Sequence, residues 1–327
     1  MNTLQLIKSK IHTFFFKEDN TKGSFIAFFR IGTSVFILIH LMSIILDFSK
    51  LFGKQGIIPH DIREFFLSNQ MISFTQIITF FESYGISESV TTNGFIGTFI
   101  FFLLALMFGL CTRFSAIMTL LLYKAIYSGT YIYGIDGFMV TSLFYLIIFP
   151  SGYFHSIDNL IFKKRDRNNL NVTLFKRLLQ FNVCMVYFYA GLSKMMGITW
   201  WNGEAIWKSI HLWSANSIFN IDFTFLAENS YILTVMGWSV LLIETLYVIF
   251  IWIPKTRKIW LYSTLAMHVG IGIFLDLYFF ASFMMFWNVT VFYISEPMPE
   301  LNISKYFVFF KRRKVQPQNV TLEALNS

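Results

Sequence analysis

Six ionisable side chains stand inside runs of residues otherwise suited to lipid: Arg30, His40, Lys124, Lys194, Glu244 and His268. Lys194 closes the apolar run 181–196 and is followed directly by Ile198-Thr199-Trp200-Trp201-Asn202-Gly203. A charged amine near membrane depth costs at least about 2–3 kcal/mol, so such a residue marks a functional site by default. Loss of hydration disfavours charge, which brings a neutral amine, and therefore a general base, within chemical reach. Glu244, in Leu241-Leu242-Ile243-Glu244-Thr245, must be protonated or matched to a cation, with Arg30 and Lys124 as the available partners. Lys124 can instead reach outward. Arg30, near one end of its run, can snorkel to the head groups, and His40 on an apolar face reads as a hydrogen-bonded structural residue. His268, beside Gly270 and Gly272, reads either as a packed interhelical contact or as a proton carrier opening on the same cavity as Lys194.

The elements that would hold these residues follow from composition. The chain has 327 residues, 55% of them hydrophobic, 20% aromatic and only 13% charged, which excludes an ordinary soluble domain. An all-α, polytopic bundle of about eight transmembrane helices is expected, near residues 24–47, 94–112, 114–128, 136–152, 175–196, 229–253, 258–278 and 280–294. Met71–Phe81 is too short to cross and suits an interface. Residues 1–23 read as a basic N-terminal arm without a cleavable signal, 24–295 as the membrane domain and 296–327 as a basic tail.

The cationic residues alternate with these crossings. Lys8, Lys10, Lys17 and Lys22 precede the first span, and Arg113 separates the second and third. Lys163, Lys164, Arg165, Arg167, Lys176 and Arg177 fill the fourth connection, and Lys255, Arg257 and Lys258 the sixth. Lys311, Arg312, Arg313 and Lys314 follow the eighth span, whereas the later alternate connections hold only Lys208, and the long first one offsets Lys50, Lys54 and Arg63 with Asp61, Glu64, Glu82 and Glu88. Both termini are therefore expected in the cytoplasm, with Lys194, Trp200 and Trp201 on the outer side. The net charge of +8 then reads as topology signal and lipid contact, so no nucleic-acid partner is expected.

Cys111 and Cys184 lie in apolar segments and suggest neither a disulfide nor a metal site, and no phosphate loop, dinucleotide fingerprint, HExxH or nucleophile elbow occurs. Trp200, Trp201, Trp207 and Trp213 suit an interfacial aromatic belt. Trp207 and Trp213 flank Lys208 and His211 in an expected interfacial helix over 203–214, which could roof a cavity.

The block Tyr189-Ala190-Gly191-Leu192-Ser193-Lys194-Met195, followed by Trp200, Trp201, Gly203, Glu204, Ala205 and Ile206, resembles the horizontally transferred transmembrane (HTTM) domain family. That domain is shared with vitamin K-dependent gamma-glutamyl carboxylases. Phe29-Arg30-Ile31-Gly32, Cys111-Thr112-Arg113-Phe114-Ser115, Tyr131–Asp136, Pro150-Ser151-Gly152 and Ser156-Ile157-Asp158 occur in the family's order, so the resemblance covers roughly residues 23–295. It implies that Lys194 is a base acting on reduced vitamin K or another quinol, and that His268 stabilises the charged intermediate. Tyr189, Trp200 and Trp201 would line the quinone side, with no metal involved.

Two departures bear on that role. The carboxylases carry an asparagine-histidine pair where Tyr127-Ser128-Gly129-Thr130 stands, and their large luminal region has no counterpart here. In size the chain is more similar to the compact bacterial sporulation-delaying protein B type, associated with exported antimicrobial peptides. The resemblance thus implies a bacterial inner-membrane protein that matures or exports a secreted peptide, working with that peptide and a companion protein. A carboxylase-like lyase or other peptide-modifying enzyme is the first alternative. The second is a non-catalytic scaffold or immunity factor in which Lys194 merely pairs with a buried acid.

Overall fold

In the computed structural model, residues 3–16, 23–57, 72–127, 134–162, 172–215 and 218–294 are described, and every regular element among them is helical. The main helices are α1 (Thr3–Phe16), α2 (Ser24–Ile44), α3 (Phe74–Glu82), α4 (Glu88–Phe108), α5 (Thr112–Tyr127) and α6 (Gly134–Ile148). They continue with α7 (Val172–Met195), α8 (Glu204–Ile210), α9 (Ser230–Phe250), α10 (Pro254–Leu275) and α11 (Tyr278–Asn288), the last prolonged by a π-turn over Val289–Tyr293. All-helical structure follows from the need to satisfy backbone hydrogen bonds within each apolar segment.

Among the described residues, four helices are long and apolar enough to cross a membrane: Ser24–Phe52, counted with its short continuation, α4, α9 and α10. This is a membrane protein. The shorter apolar helices α6 and Tyr278–Tyr293 accompany them. The 24-residue α7 carries Lys176, Arg177 and Lys194, and the 16-residue α5 carries Arg113 and Lys124. Each of the eight apolar segments expected from the sequence coincides with a helix, although ends differ. α10 starts at Pro254, four residues before the expected boundary, because proline at the first helical position gives up no intrahelical hydrogen bond. It stops at Asp276, which adopts a left-handed conformation with φ 55°.

The helices pack as antiparallel neighbours, with α4 on α5, α5 on α6, α10 on α11, and α7 along α9 as the most extensive pair. α2 meets α11 where Phe28, Phe29 and Phe36 pack on Phe286. Gly32 leaves room for the Phe286 ring. Outward faces carry Leu121, Phe144, Tyr189, Leu242 and Ile259, each more than half exposed, as a lipid-facing surface requires.

Two expectations change outside the spans. The N-terminal arm contains the helix α1, whose Phe14 carbonyl accepts from Arg177 Nε at 3.1 Å while the Arg177 guanidinium lies 4.1 Å from the Phe14 ring centre. Aromatic–cation contact with α7, rather than solvation of lysines, therefore orders this segment. The interfacial piece expected over Met71–Phe81 forms α3, opened by a capping box between Ser73 and Gln76. It buries Phe74 and Ile78, so it is partly core; Met71 itself lies outside the described residues. Residues 128–133, the cationic run 163–167 and the expected tail 296–327 also lie outside them.

Candidate functional site

Tyr187, Gly191 and Lys194 occupy positions i, i+4 and i+7 of α7, one stripe along its face. Leu241, Glu244 and Tyr247 make the matching stripe on α9, all three buried. Gly191 allows the two to meet. A Cβ at that position would stand 2.8 Å from Thr245 N and 3.0 Å from Glu244 Cβ, so any side chain would push the helices apart. The close approach delivers Lys194 Nζ to both carboxylate oxygens of Glu244, at 2.8 and 2.6 Å.

The pair is asymmetric. The Glu244 side chain is 7% exposed and that of Lys194 25%, so the acid is embedded and the amine opens towards the outer rim of the bundle. The Trp200 ring covers the amine, its centre 5.3 Å from Nζ. Trp200 and Trp201 belong to a single helical turn, Ile198–Trp201, fastened at both ends. Trp201 Nε1 donates to Met195 O at 2.8 Å, and Trp238 Nε1 of α9 donates to Trp201 O at 2.9 Å. Thr234 Oγ1 donates to Asn202 O at 3.2 Å. Gly203 then turns the chain into α8 in a left-handed conformation, φ 81°, where a Cβ would meet Leu233 at 2.6 Å. The expected interfacial helix over 203–214 is therefore shorter than anticipated. Its Trp207 ring lies tilted against His211 with centres 3.9 Å apart, whereas Trp213 is almost fully exposed.

Two turns along α7 from Lys194, Tyr187 joins a buried polar chain. Tyr247 OH donates to Asn288 Oδ1 at 2.6 Å. Asn288 Nδ2 donates to Tyr187 OH at 2.7 Å and to Met284 O at 2.8 Å. Tyr187 OH lies 2.7 Å from His268 Nε2. His268 is 2% exposed, and its Nδ1 is buried without a hydrogen-bond partner. Gly272, one turn on, packs against Ala281 and Tyr278, as the small residues beside His268 suggested.

The other sequence candidates fall elsewhere. Neither Arg30 nor Lys124 pairs with Glu244, which corrects the expected partnership: the helix that packs closely on α9 is α7, and it brings its own cation. Arg30 is fully buried rather than snorkelling. Its Nη1 donates to Ser151 O at 2.5 Å and Phe154 O at 3.0 Å, and its Nη2 to His155 O at 2.6 Å. It thereby ties α2 to the loop after α6, which leaves no freedom to reach head groups. Lys124 is only half-buried and forms no ion pair among the described residues. Tyr189, on the opposite side of α7 from the stripe, is 61% exposed and stands apart from the site.

His40 is joined to Tyr127 OH, with Asp136 Oδ1 4.0 Å away and accepting from Tyr123 OH at 2.7 Å. That makes a second buried polar cluster, between α2, α5 and α6. Asp158 caps α5, accepting from Cys111 N at 2.7 Å, Thr112 N at 2.9 Å and Thr112 Oγ1 at 2.5 Å. Among the described residues, no group of three or more His, Cys, Asp or Glu could hold a metal ion.

Sequence reasoning did not single out Tyr187, Tyr247 or Asn288. Their signal was polar atoms at helical spacing within apolar runs, diluted by many tyrosines at interfaces. Chemically, the site combines an ion pair that can exchange a proton with a histidine whose one free ring nitrogen lacks a partner. Comparison of the chain with protein-family models, with curated proteins and with solved structures found no match.

Proposed function

We propose that the chain is a member of the horizontally transferred transmembrane domain family, with eight spans and both termini in the cytoplasm of a bacterial inner membrane. In this reading it matures or exports a secreted, antimicrobial-type peptide together with a companion protein. The observation that carries the reading is the Lys194–Glu244 pair, set at the rim of the bundle beneath Trp200 and on the same α7 stripe as the His268 chain. A proton passing from Lys194 Nζ to Glu244 over the 2.6 Å contact leaves a neutral amine and a neutral acid. In a desolvated setting the stability of the charged form depends on that geometry, because removing charges from water offsets most of their attraction. Lys194 then acts as the base and Glu244 as its proton store.

The implied quinol fits the donor set at two points. His268 Nδ1 is a buried polar atom without a partner, and Trp200 supplies an aromatic wall beside the amine. Tyr189 is too exposed to contribute. When bound, reduced vitamin K or another quinol would supply an oxidisable hydroxyl. His268 would hold its oxygen, and Lys194 would take the hydroxyl proton.

The same pair favours a second reading, a non-catalytic scaffold or immunity factor in which Lys194 serves only to neutralise Glu244. The two separate by the mass and amount of the exported peptide in cells carrying wild-type or Lys194→Ala protein at matched membrane levels. Loss of the mature mass supports the catalytic reading, whereas an unchanged peptide in unchanged amount leaves the scaffold.

A further inference from the structure

The hydrogen-bond directions around Asn288 leave one arrangement of protons. Met284 O accepts only, so the nitrogen of the Asn288 amide must face it at 2.8 Å, and the amide oxygen must face Tyr247 OH at 2.6 Å. The second Asn288 N–H then points at Tyr187 OH, 2.7 Å away, and occupies that oxygen as acceptor. The other hydrogen-bond partner of the Tyr187 hydroxyl is His268 Nε2 at 2.7 Å, and donation to it gives the hydroxyl proton an acceptor. An imidazole accepting at Nε2 in its neutral form carries its proton on Nδ1. That N–H is the buried nitrogen without a partner. Buried donors are almost always hydrogen-bonded, so an orphan at the end of an otherwise complete chain calls for an explanation.

We infer that Tyr247, Asn288 and Tyr187 are positioning residues that lock His268 in the Nδ1–H tautomer, and that this N–H is a binding contact for a carbonyl oxygen. This rests on the reading of His268 as a working residue, but not on the identity of the ligand. Turning Nε2 away would break its 2.7 Å contact with Tyr187 OH, and the Phe280 ring lies edge-on to the imidazole at 6.0 Å. A donor that cannot accept recognises carbonyl and other lone-pair oxygens and discriminates against groups that offer only N–H. Two sources share that chemistry, a quinone carbonyl and a peptide carbonyl.

The test is nitrogen-15 NMR of the full chain in lipid nanodiscs, with histidine labelled and His268 assigned by comparison with His268→Gln. A protonated Nδ1 and a bare Nε2 are expected in the wild type. Tyr187→Phe removes the donor to Nε2 without removing the ring and should yield a mixture of tautomers. Asn288→Leu, which deletes the amide that orients Tyr187, should do the same if it folds, and Tyr187→Phe carries the test alone if it does not. Nε2–H in the wild type, or an unchanged Nδ1–H in Tyr187→Phe, overturns the assignment.

Menadione and N-acetylalanine methylamide are then titrated separately. A shift of the Nδ1–H resonance with menadione alone identifies a quinone carbonyl, and one with the amide alone identifies a peptide carbonyl. No shift with either overturns the binding contact, while the tautomer result stands or falls independently of the quinol reading.

Discussion

Lys194 Nζ bridges both carboxylate oxygens of Glu244, although 50 residues separate the two in the chain. The acid is the more buried partner, so the two residues do not respond alike to truncation. Removing the lysine strands a buried carboxylate; removing the glutamate leaves an amine that can still reach the rim.

Lys194→Ala is expected to destabilise the protein by about 3–5 kcal/mol unless Glu244 takes up a proton, the usual cost of breaking a buried pair from one side. Glu244→Ala should cost less, because Lys194 retains access to water. The double variant should recover about 0.5–3 kcal/mol relative to the sum of the single ones. Thermal unfolding of the four proteins in one detergent measures this coupling, and additive losses would show that the contact contributes nothing.

Gly191→Leu should separate α7 from α9 with Lys194 and Glu244 both still present in the chain and, on the proposed function, abolish peptide maturation. Overpacking of this kind costs about 1–3 kcal/mol. Gly191→Ala should fall between it and the wild type, since its Cβ alone meets Thr245 N at 2.8 Å. Peptide yield at matched membrane levels provides the measurement, with equal yields from all three proteins as the contrary result.

Asp158→Ala should expose how the start of α5 is held. It frees Cys111 N, Thr112 N and Thr112 Oγ1 at once, and loss of a helix N-cap costs about 0.5–2 kcal/mol. The expected signature is faster alkylation of Cys111, whose thiol is already exposed, with little change at buried Cys184.

At α8, Lys208 Nζ contacts Glu204 Oε1 at 2.6 Å and holds the exposed Glu204 carboxyl below its ordinary value of 4.5. A carboxyl depressed on folding contributes stability above its unfolded value and loses that contribution as pH falls through the depressed one. Fraying of α8 on acidification should therefore occur below pH 4.5 and should vanish as a pH effect in Glu204→Gln. Amide exchange across 204–210, measured as a function of pH, gives the comparison.

The proposed eight-span topology puts Lys208 outside and Lys255 inside. Single cysteines at these positions, in a background with Cys111→Ser and Cys184→Ser, should react with a membrane-impermeant maleimide differently. Lys208→Cys is labelled in intact cells, and Lys255→Cys only after permeabilisation. Equal labelling of both without permeabilisation would reject the topology.

Helix positions were legible because apolar length and charge alternation are properties of single segments. Partnership was not. Glu244 was matched with Arg30 or Lys124, and nothing in its own segment says that α7 rather than α2 or α5 lies against α9. The deciding residue is Gly191, whose missing side chain is a packing instruction visible only once the opposite helix is known. Arg30 is the structural buried charge that was one of its two readings, and its three carbonyl partners carry no side-chain signature that could have excluded snorkelling. Asn288 stood in plain view as an amide within an apolar run, yet its role depends on Tyr187 and Tyr247, 101 and 41 residues away.

The hydrogen bonds of Trp201 fasten two helices without using either charge. Its indole and carbonyl bonds to Met195 and Trp238 bind the end of α7 to α9 without involving Lys194 or Glu244. The ion pair can therefore open and re-form while the helices stay in register, so the amine can trade its carboxylate for another partner without dismantling the bundle.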